Sequence, residues 1–384
     1  MSSMNLAAYN NYYNETVILL LLRWSIAFLF IATPFNPYVG GMTLYLWLPL
    51  VFLDYEFLKT LKVINLKIVL FIMCFSALCV FLARIDIFIK FLAISIGVLY
   101  VVKLKNIIFD KIYACMLISA LWCIVQFLLF HINPEYSAFI GPSSLSSLIW
   151  GSFSTPTFTN QYVIFLLPRM SGLSREAGFF VSLLLITFII RMRDAKVSKI
   201  EIIIFILAYL FSLSKISLVL FIFLFLYLIR RFIKMIPVGV FVFLFFIIMV
   251  ATANYLKVGV SSYYFDHESI AHRLSSAYLI GYMTFKDYIL GCQADYRCLI
   301  NEPIVSYLSN SELKPNIGLI GIVIELGIWG GLSILFFSSI FRLDSYDLSI
   351  IICFTITVTL FTLDSFVILT YYYVITNKLV KNQS

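Results

Sequence analysis

Apolar runs of roughly membrane-spanning length follow one another along most of this chain, separated by short polar breaks. A hydrocarbon core about 30 Å thick takes about 20 apolar residues per helix. On that scale the pattern predicts about twelve spans. They lie near residues 17–33, 39–54, 63–83, 86–102, 112–132, 177–192, 200–213, 216–230, 236–253, 318–340, 348–361 and 363–377. Several runs are short, so closely spaced pairs read equally as helical hairpins or re-entrant segments. The runs are continuous and not alternating, which argues against a membrane barrel. The fold class expected is an all-α polytopic integral membrane protein forming one membrane domain over 1–384, with no soluble domain and no internal repeat.

Two long polar stretches interrupt the pattern, about 133–176 and 254–317. The first holds Pro142, Pro156 and Pro168 among many Ser and Thr, which predicts irregular backbone lining a cavity and not strands. In the second, apolar positions at Ile270, Leu274, Ala277, Tyr278 and Gly281 have the spacing of a half-buried helix over Ser269 to Tyr288.

Composition agrees with a bilayer solvent: 62% of residues are hydrophobic and 12% charged, where soluble domains carry about 25% charged residues. Basic residues fall in every second loop: Lys59 and Lys62; Lys103, Lys105 and Lys111; Arg191, Arg193, Lys196 and Lys199; Arg230, Arg231 and Lys234; Arg342; Lys378 and Lys381. By the positive-inside bias both termini are cytoplasmic and both long loops face outward. The formal net charge of +8 follows from this topology and is not a nucleic-acid signal. The first fifteen residues are polar and lack basic residues, so the first apolar run reads as a retained anchor and not a cleaved signal. Arg23, within that run, is expected to snorkel to the cytoplasmic interface.

Cations on the outer face run against the same bias and ask for compensation. Arg169 and Arg175 precede the sixth run, Lys215 lies in the turn before the eighth, and Arg273, Lys286 and Arg297 fall in the second long loop. Guanidinium forks bind phosphate bidentately and stay charged, which suits an anionic ligand at the membrane surface. Pairing with Glu176, Asp266, Glu268, Asp287 and Asp295, or with lipid headgroups, is the competing account. Glu176 falls at the first turn of a helix, where a carboxylate serves as cap, as ion-pair partner or in catalysis. Glu325 lies inside the 318–340 run, where a carboxylate is functional or paired.

The spacing of Asp266, His267, Glu268 and His272 fits no standard metal set, so no metal is expected. There is no Asp-x-Asp signature, Walker loop, Rossmann fingerprint or Gly-x-Ser-x-Gly elbow, so no nucleotide or other soluble cofactor is expected either. Cys292 and Cys298 can close a small ring if their compartment is oxidising. The remaining cysteines fall in apolar runs and are read as packing residues.

Three separated motifs carry a resemblance to the bacterial O-antigen polymerase family, within the O-antigen ligase/polymerase superfamily. Arg169-x-Ser171-Gly172-Leu173-x-x-Glu176 before a span resembles the family's Arg-x-x-Gly-Leu-x-x-Glu-Pro-Ser, with Ala177 and Gly178 in place of Pro and Ser. Ser212-x-Ser214-Lys215 resembles its Ser-x-Ser-Arg/Lys. The third runs from Arg273 through Tyr288-Ile289-Leu290-Gly291 to Asn316 and then Glu325-x-Gly327-x-x-Gly330. The match covers about residues 150–335. The ligase branch carries a His where Pro315-Asn316 stands here, which favours polymerase.

The resemblance implies a C-type membrane glycosyltransferase fold in the bacterial inner membrane. The implied reaction moves the growing oligosaccharide from undecaprenyl diphosphate onto an incoming lipid-linked repeat unit at the periplasmic face. It implies Arg169, Arg175 and Arg273 on the diphosphate, Lys215 in support, Glu176 as leading base with Glu325, Asp266 and His272 as the alternatives, and Glu325 and Asn316 on substrate. Implied partners are a chain-length regulator and other O-antigen assembly membrane proteins. The rival readings are an O-antigen ligase and a lipid-linked oligosaccharide flippase or transporter.

Overall fold

The computed structural model describes residues 16–381 apart from 40–41, 62–65, 156–162, 165–166, 215–217, 262, 264, 266–267, 293–295, 311–312 and 357. Helix dominates, and two short antiparallel hairpins are its accompaniment among the described residues. In chain order the elements are α1 (Val17–Ile31), β1 (Tyr38–Val39), β2 (Met42–Thr43), α2 (Trp47–Val51), α3 (Tyr55–Leu61), α4 (Leu66–Phe81), α5 (Ile85–Ile132), α6 (Pro134–Phe139), α7 (Pro142–Trp150), β3 (Val163–Ile164), β4 (Leu167–Pro168), α8 (Ala177–Asp194) and α9 (Lys199–Ser212). There follow α10 (Leu218–Leu228), α11 (Arg230–Met235), α12 (Val238–Tyr255), α13 (Glu268–Leu279), α14 (Phe285–Leu290), α15 (Pro303–Asn310), α16 (Gly318–Leu326), α17 (Ile328–Ile340), α18 (Ser345–Thr355) and α19 (Ser365–Lys381).

Among the described residues three helical segments are long and apolar enough to cross a membrane: Ile85–Lys105 and Ile107–Ile132 of α5, and Val238–Tyr255. The first two are halves of one helix kinked at Lys105, which has φ 34°. Helices α1, α17 and α18 are apolar but shorter. Local chemistry sets several boundaries. Ser198 and Glu201 form a capping box at the start of α9, and Asp344 with Asp347 does the same for α18, each satisfying N–H groups that a helix start leaves open. Arg191 and Arg193 occupy the last turn of α8, where the helix dipole favours cations.

The chain packs as two compact units, Met1–Val63 with Leu99–Leu218, and Ile64–Val98 with Val219–Ser384. In the first unit the predicted span at 39–54 is instead the β1–β2 hairpin followed by the five-residue helix α2. The chain turns back beside α1, with Trp47 edge-on to Phe30 at 5.4 Å. The physical reason is punctuation that hydropathy ignores. Asn36 donates to the carbonyls of Leu29 and Thr33 and accepts from the Leu46 N–H, and Pro49 sits within the short helix.

The stretch at 133–176 also differs from the irregular backbone expected. It holds α6, α7 and the β3–β4 hairpin, with Val163 opposite Pro168. Strand pairing there is confined to two residues a side, with Pro168 at the end. The Ser146 hydroxyl, Thr155 hydroxyl and Trp150 indole donate to the carbonyls of Pro34, Asn36 and Phe35, so α7 is tied to the turn after α1.

Arg23 does not snorkel. It is 1% exposed and pairs with Asp54, itself fully buried, at 2.7 Å, and with Glu56 at 2.6 Å. Asp54 also accepts from Tyr100 and from the N–H groups of Glu56 and Phe57 at the start of α3. The carboxylate therefore neutralises a buried guanidinium and caps a helix at once.

In the second unit a phenylalanine cluster joins α4, the start of α5 and α17. Phe71 lies against Phe91, Phe336 and Phe337, and Phe75 against Phe91 and Phe361. The predicted helix at 269–288 ends at Leu279, a 3₁₀ turn follows, and Thr284 caps α14 afresh. The predicted span at 318–340 is broken at Gly327, whose φ of 60° and ψ of −149° serve as end of α16 and start of α17. The run predicted at 348–361 is helical only to Thr355.

Candidate functional site

Arg169, Arg175 and Glu176 belong to the first unit, where one face of α5 fixes the segment that carries them. Ser119, Trp122 and Gln126 stand at helical spacing on α5. The Ser119 hydroxyl accepts from the Leu173 N–H at 3.0 Å. Gln126, fully buried, donates to the carbonyls of Gly172 at 3.1 Å and Ile140 at 3.3 Å, and Trp122 donates to Ile140 as well. Gly172 has φ +57°, and a Cβ there would fall 2.6 Å from the Ser119 carbonyl oxygen and 2.8 Å from Phe180. Only glycine permits both that backbone and that approach. The Met170 N–H reaches the Phe211 carbonyl at 3.4 Å, and the Ser174 N–H closes a turn onto Ser171.

On this pinned backbone two of the three charges, Arg169 and Glu176, are left over. The Arg169 side chain makes no hydrogen bond or ion pair with any described residue, and its Nε is buried. The Arg175 guanidinium lies over the Phe179 ring at 4.4 Å, a cation–π contact. Glu176 is the N-cap of α8 through its backbone, its carbonyl accepting from the Phe180 N–H, but its side chain forms no cap bond. The carboxylate has no partner among the described residues, so the cap and ion-pair accounts of Glu176 both lack a structural counterpart. A half-buried cation and carboxylate without partners, on a backbone held by buried polar groups, form an arrangement that spends stability on presentation.

The other sequence-predicted residues fall elsewhere. Lys215 lies outside the described residues, as do Asp266 and His267. Arg273 belongs to the second unit, on α13, lining a small apolar cleft with Ser276 and the first residues of α16. Lys286 is exposed. His272 donates from Nε2 to the Lys314 carbonyl. Among the described residues no three His, Cys, Asp or Glu side chains converge in a way that would hold a metal.

Asn316 and Glu325 are brought together, in the second unit. Asn316 donates to Glu325 Oε1 at 2.9 Å, Tyr296 donates to the same oxygen at 3.0 Å, and Arg84 at 3.2 Å. Burial raises the Tyr296 phenol, and the Glu325 carboxylate raises it further, so the hydroxyl stays a donor. Cys292 and Cys298 are joined in a disulfide, and the ring so closed contains Tyr296. The backbone around it passes over the helix break: the Cys292 N–H donates to the Ile324 carbonyl at 2.7 Å. A Cβ on Gly291 would strike the Glu325 carbonyl, and one on Gly327 would fall 2.6 Å from the carbonyl oxygens of Tyr288 and Ile289.

Sequence reasoning missed Arg84, Ser119 and Gln126. Arg84 stands between two apolar runs and reads as a turn residue. Gln126 is the amide inside the 112–132 run, and a hydrogen-bonding side chain at that depth was the available signal.

No protein-family model, no curated protein and no solved structure matches this chain. The sites therefore rest on their own chemistry.

Proposed function

We propose that this protein is an O-antigen polymerase of the bacterial inner membrane, acting on undecaprenyl-diphosphate-linked oligosaccharides. In this reading the chain crosses the membrane about twelve times with both termini cytoplasmic, and the stretches at 133–176 and 254–317 face the periplasm. One observation carries it: the Arg169–Glu176 segment, whose motif resembles the family's, holds a guanidinium and a carboxylate without partners among the described residues on a backbone fixed by Ser119 and Gln126.

Arg169 and Arg175 bind the diphosphate and stabilise the charge that grows on it as the anomeric C–O bond breaks. The arginine fork matches two phosphate oxygens at once. A carboxylate accepts the proton of the attacking sugar hydroxyl, and Glu176, at a helix N-terminus, is the residue of this segment able to do so. The chemistry uses no metal and no nucleotide, since the substrate arrives already activated as a lipid diphosphate. A chain-length regulator and further membrane proteins of O-antigen assembly are the partners this reading implies.

The test is electrophoresis of lipopolysaccharide from a deletion strain complemented with wild type, Arg169→Ala or Glu176→Gln, with membrane abundance checked. The deletion should collapse the ladder to core plus one repeat unit. Each variant should reduce polymer by about 10²–10³-fold, the scale for removing one transition-state contact. Core alone would transfer the assignment to a ligase or flippase, and an unchanged ladder would end the O-antigen reading.

A further inference from the structure

Between Lys111 and His131 helix α5 carries no charged residue. That interval of 20 residues rises about 30 Å, the thickness of a hydrocarbon core. His131 therefore marks the level at which α5 leaves the bilayer, and there the chain turns back. The Ser137 hydroxyl of α6 donates to the Gln126 carbonyl at 2.9 Å, and the Ile140 carbonyl at the end of α6 accepts from both Gln126 and Trp122. Gln126 and Trp122 lie five and nine residues before His131, so α6 ends about 8–14 Å beneath that level. Its six helical residues descend about 9 Å, which accounts for the depth.

The two helices that follow α5 are polar inside and apolar outside, the reverse of what water selects. Helix α6 buries Ser137 and leaves Tyr136 and Phe139 exposed, Phe139 by 64%. Helix α7 buries Pro142 and Ser146 and leaves Leu148 and Ile149 exposed, Leu148 by 70%. Serine hydroxyls turn onto backbone: Ser146 to the Pro34 carbonyl, Ser144 to that of Ala138 and Ser147 to that of Ser144. Polar groups satisfied inside the protein are what a hydrocarbon surrounding demands. No charged residue and no His occurs from Tyr136 to Pro168, whereas the other long stretch carries Lys257, Asp266, Glu268, Arg273, Lys286 and Asp287 among others.

We propose that α6 and α7 form a re-entrant hairpin embedded in one leaflet, where Tyr136, Phe139, Leu148 and Ile149 bind phospholipid acyl chains. Helices of about 9 and 14 Å are too short to cross, so the hairpin enters and leaves on one side and the topology of the remaining chain is unchanged. Gly141 and Pro142 stand at its tip. Trp150 ends it, its indole donating to the Phe35 carbonyl beyond α1, as suits a tryptophan where chain returns to the interface. Acyl chains are the occupant because the exposed face lies beneath the level at which α5 emerges. Gln126 also holds the Gly172 carbonyl at 3.1 Å, which sets the Arg169–Glu176 backbone at the depth of the hairpin tip. The inference rests on the register along α5 and not on the polymerase reading.

The test measures the rate at which N-ethylmaleimide labels single added cysteines in native membranes, with wild type as the blank for the native free thiols. The thiolate is the reactive form, and a thiol in hydrocarbon stays protonated. Phe139→Cys, Leu148→Cys and Ile149→Cys should react about 100-fold more slowly than Glu135→Cys at the foot of the hairpin, the factor for a thiol pKa raised by about two units. A benzophenone amino acid, p-benzoylphenylalanine, in place of Phe139 identifies the occupant: on illumination the protein should gain the mass of a phospholipid. Labelling of the three cysteines at the Glu135→Cys rate would make α6 and α7 part of an aqueous loop and overturn the inference. Slow labelling with a cross-link to a second copy or to another protein would overturn it as well, since that partner and not lipid would cover the face. Neither readout involves lipopolysaccharide, so failure of the polymerase reading and failure of this inference are separate results.

Discussion

Gly172→Ala is the sharpest test of how the Arg169–Glu176 segment is held. Alanine at φ +57° pays about 1–2 kcal/mol for a left-handed backbone. Its methyl also meets the Ser119 carbonyl at 2.6 Å and Phe180 at 2.8 Å, and such overpacking costs about 1–3 kcal/mol. Backbone on the α5 side cannot yield, so the segment itself must move, carrying Arg169 with it. The sum is about 2–5 kcal/mol, or a fall of roughly 5 °C or more in melting temperature for a unit of this size. The assay is thermal unfolding of the purified protein at one fixed scan rate, because unfolding of such proteins is often irreversible. The control is Gly331→Ala on α17, where a Cβ meets nothing within 4 Å and the helix gains about 0.5–1 kcal/mol. If Gly172→Ala melts with wild type, the segment is not pinned as described.

Two further outcomes follow from buried groups. Arg23→Met should cost about 3–5 kcal/mol by leaving Asp54 charged and buried; adding Asp54→Asn should recover part of it, and strictly additive losses in melting temperature would contradict the pairing. Gln126→Leu orphans the Gly172 carbonyl but not that of Ile140, which keeps Trp122. Membrane abundance should then fall modestly, for about 1–3 kcal/mol, while, under the proposed polymerase reading, the ladder shortens severely; loss of both in proportion would mean Gln126 serves only packing.

Helix positions were legible where apolar length alone decides them: α8 at Ala177–Asp194 and α12 at Val238–Tyr255 fall close to the runs that predicted them. Hydropathy failed where a few hydrogen bonds outrank it. Asn36 turns an apolar stretch back as a hairpin, and Gly327 breaks another that reads as one span. The candidate residues were legible as charges out of place, but their partners were not. Nothing near Glu325 in sequence announces Arg84, and nothing near Arg169 announces Gln126, because tertiary contacts of that kind leave no periodic trace. The bond of Tyr296 to Glu325 was equally hidden, since an aromatic in a polar loop reads as an interface anchor.

The bond between Arg84 and Glu325 spans 241 residues of sequence, and this has a consequence for how the chain is made. At about 5–20 residues per second of synthesis, Arg84 waits roughly 12–48 s for its last acceptor. Until Cys292 is made, Asp86 is the one of its acceptors already in the chain. The whole Leu99–Leu218 portion of the first unit is synthesised in the interval, so the second unit, which holds both residues, cannot close this contact until that portion has been made. A ribosome that stops short of Glu325 leaves the Arg84 guanidinium without two of its five acceptors.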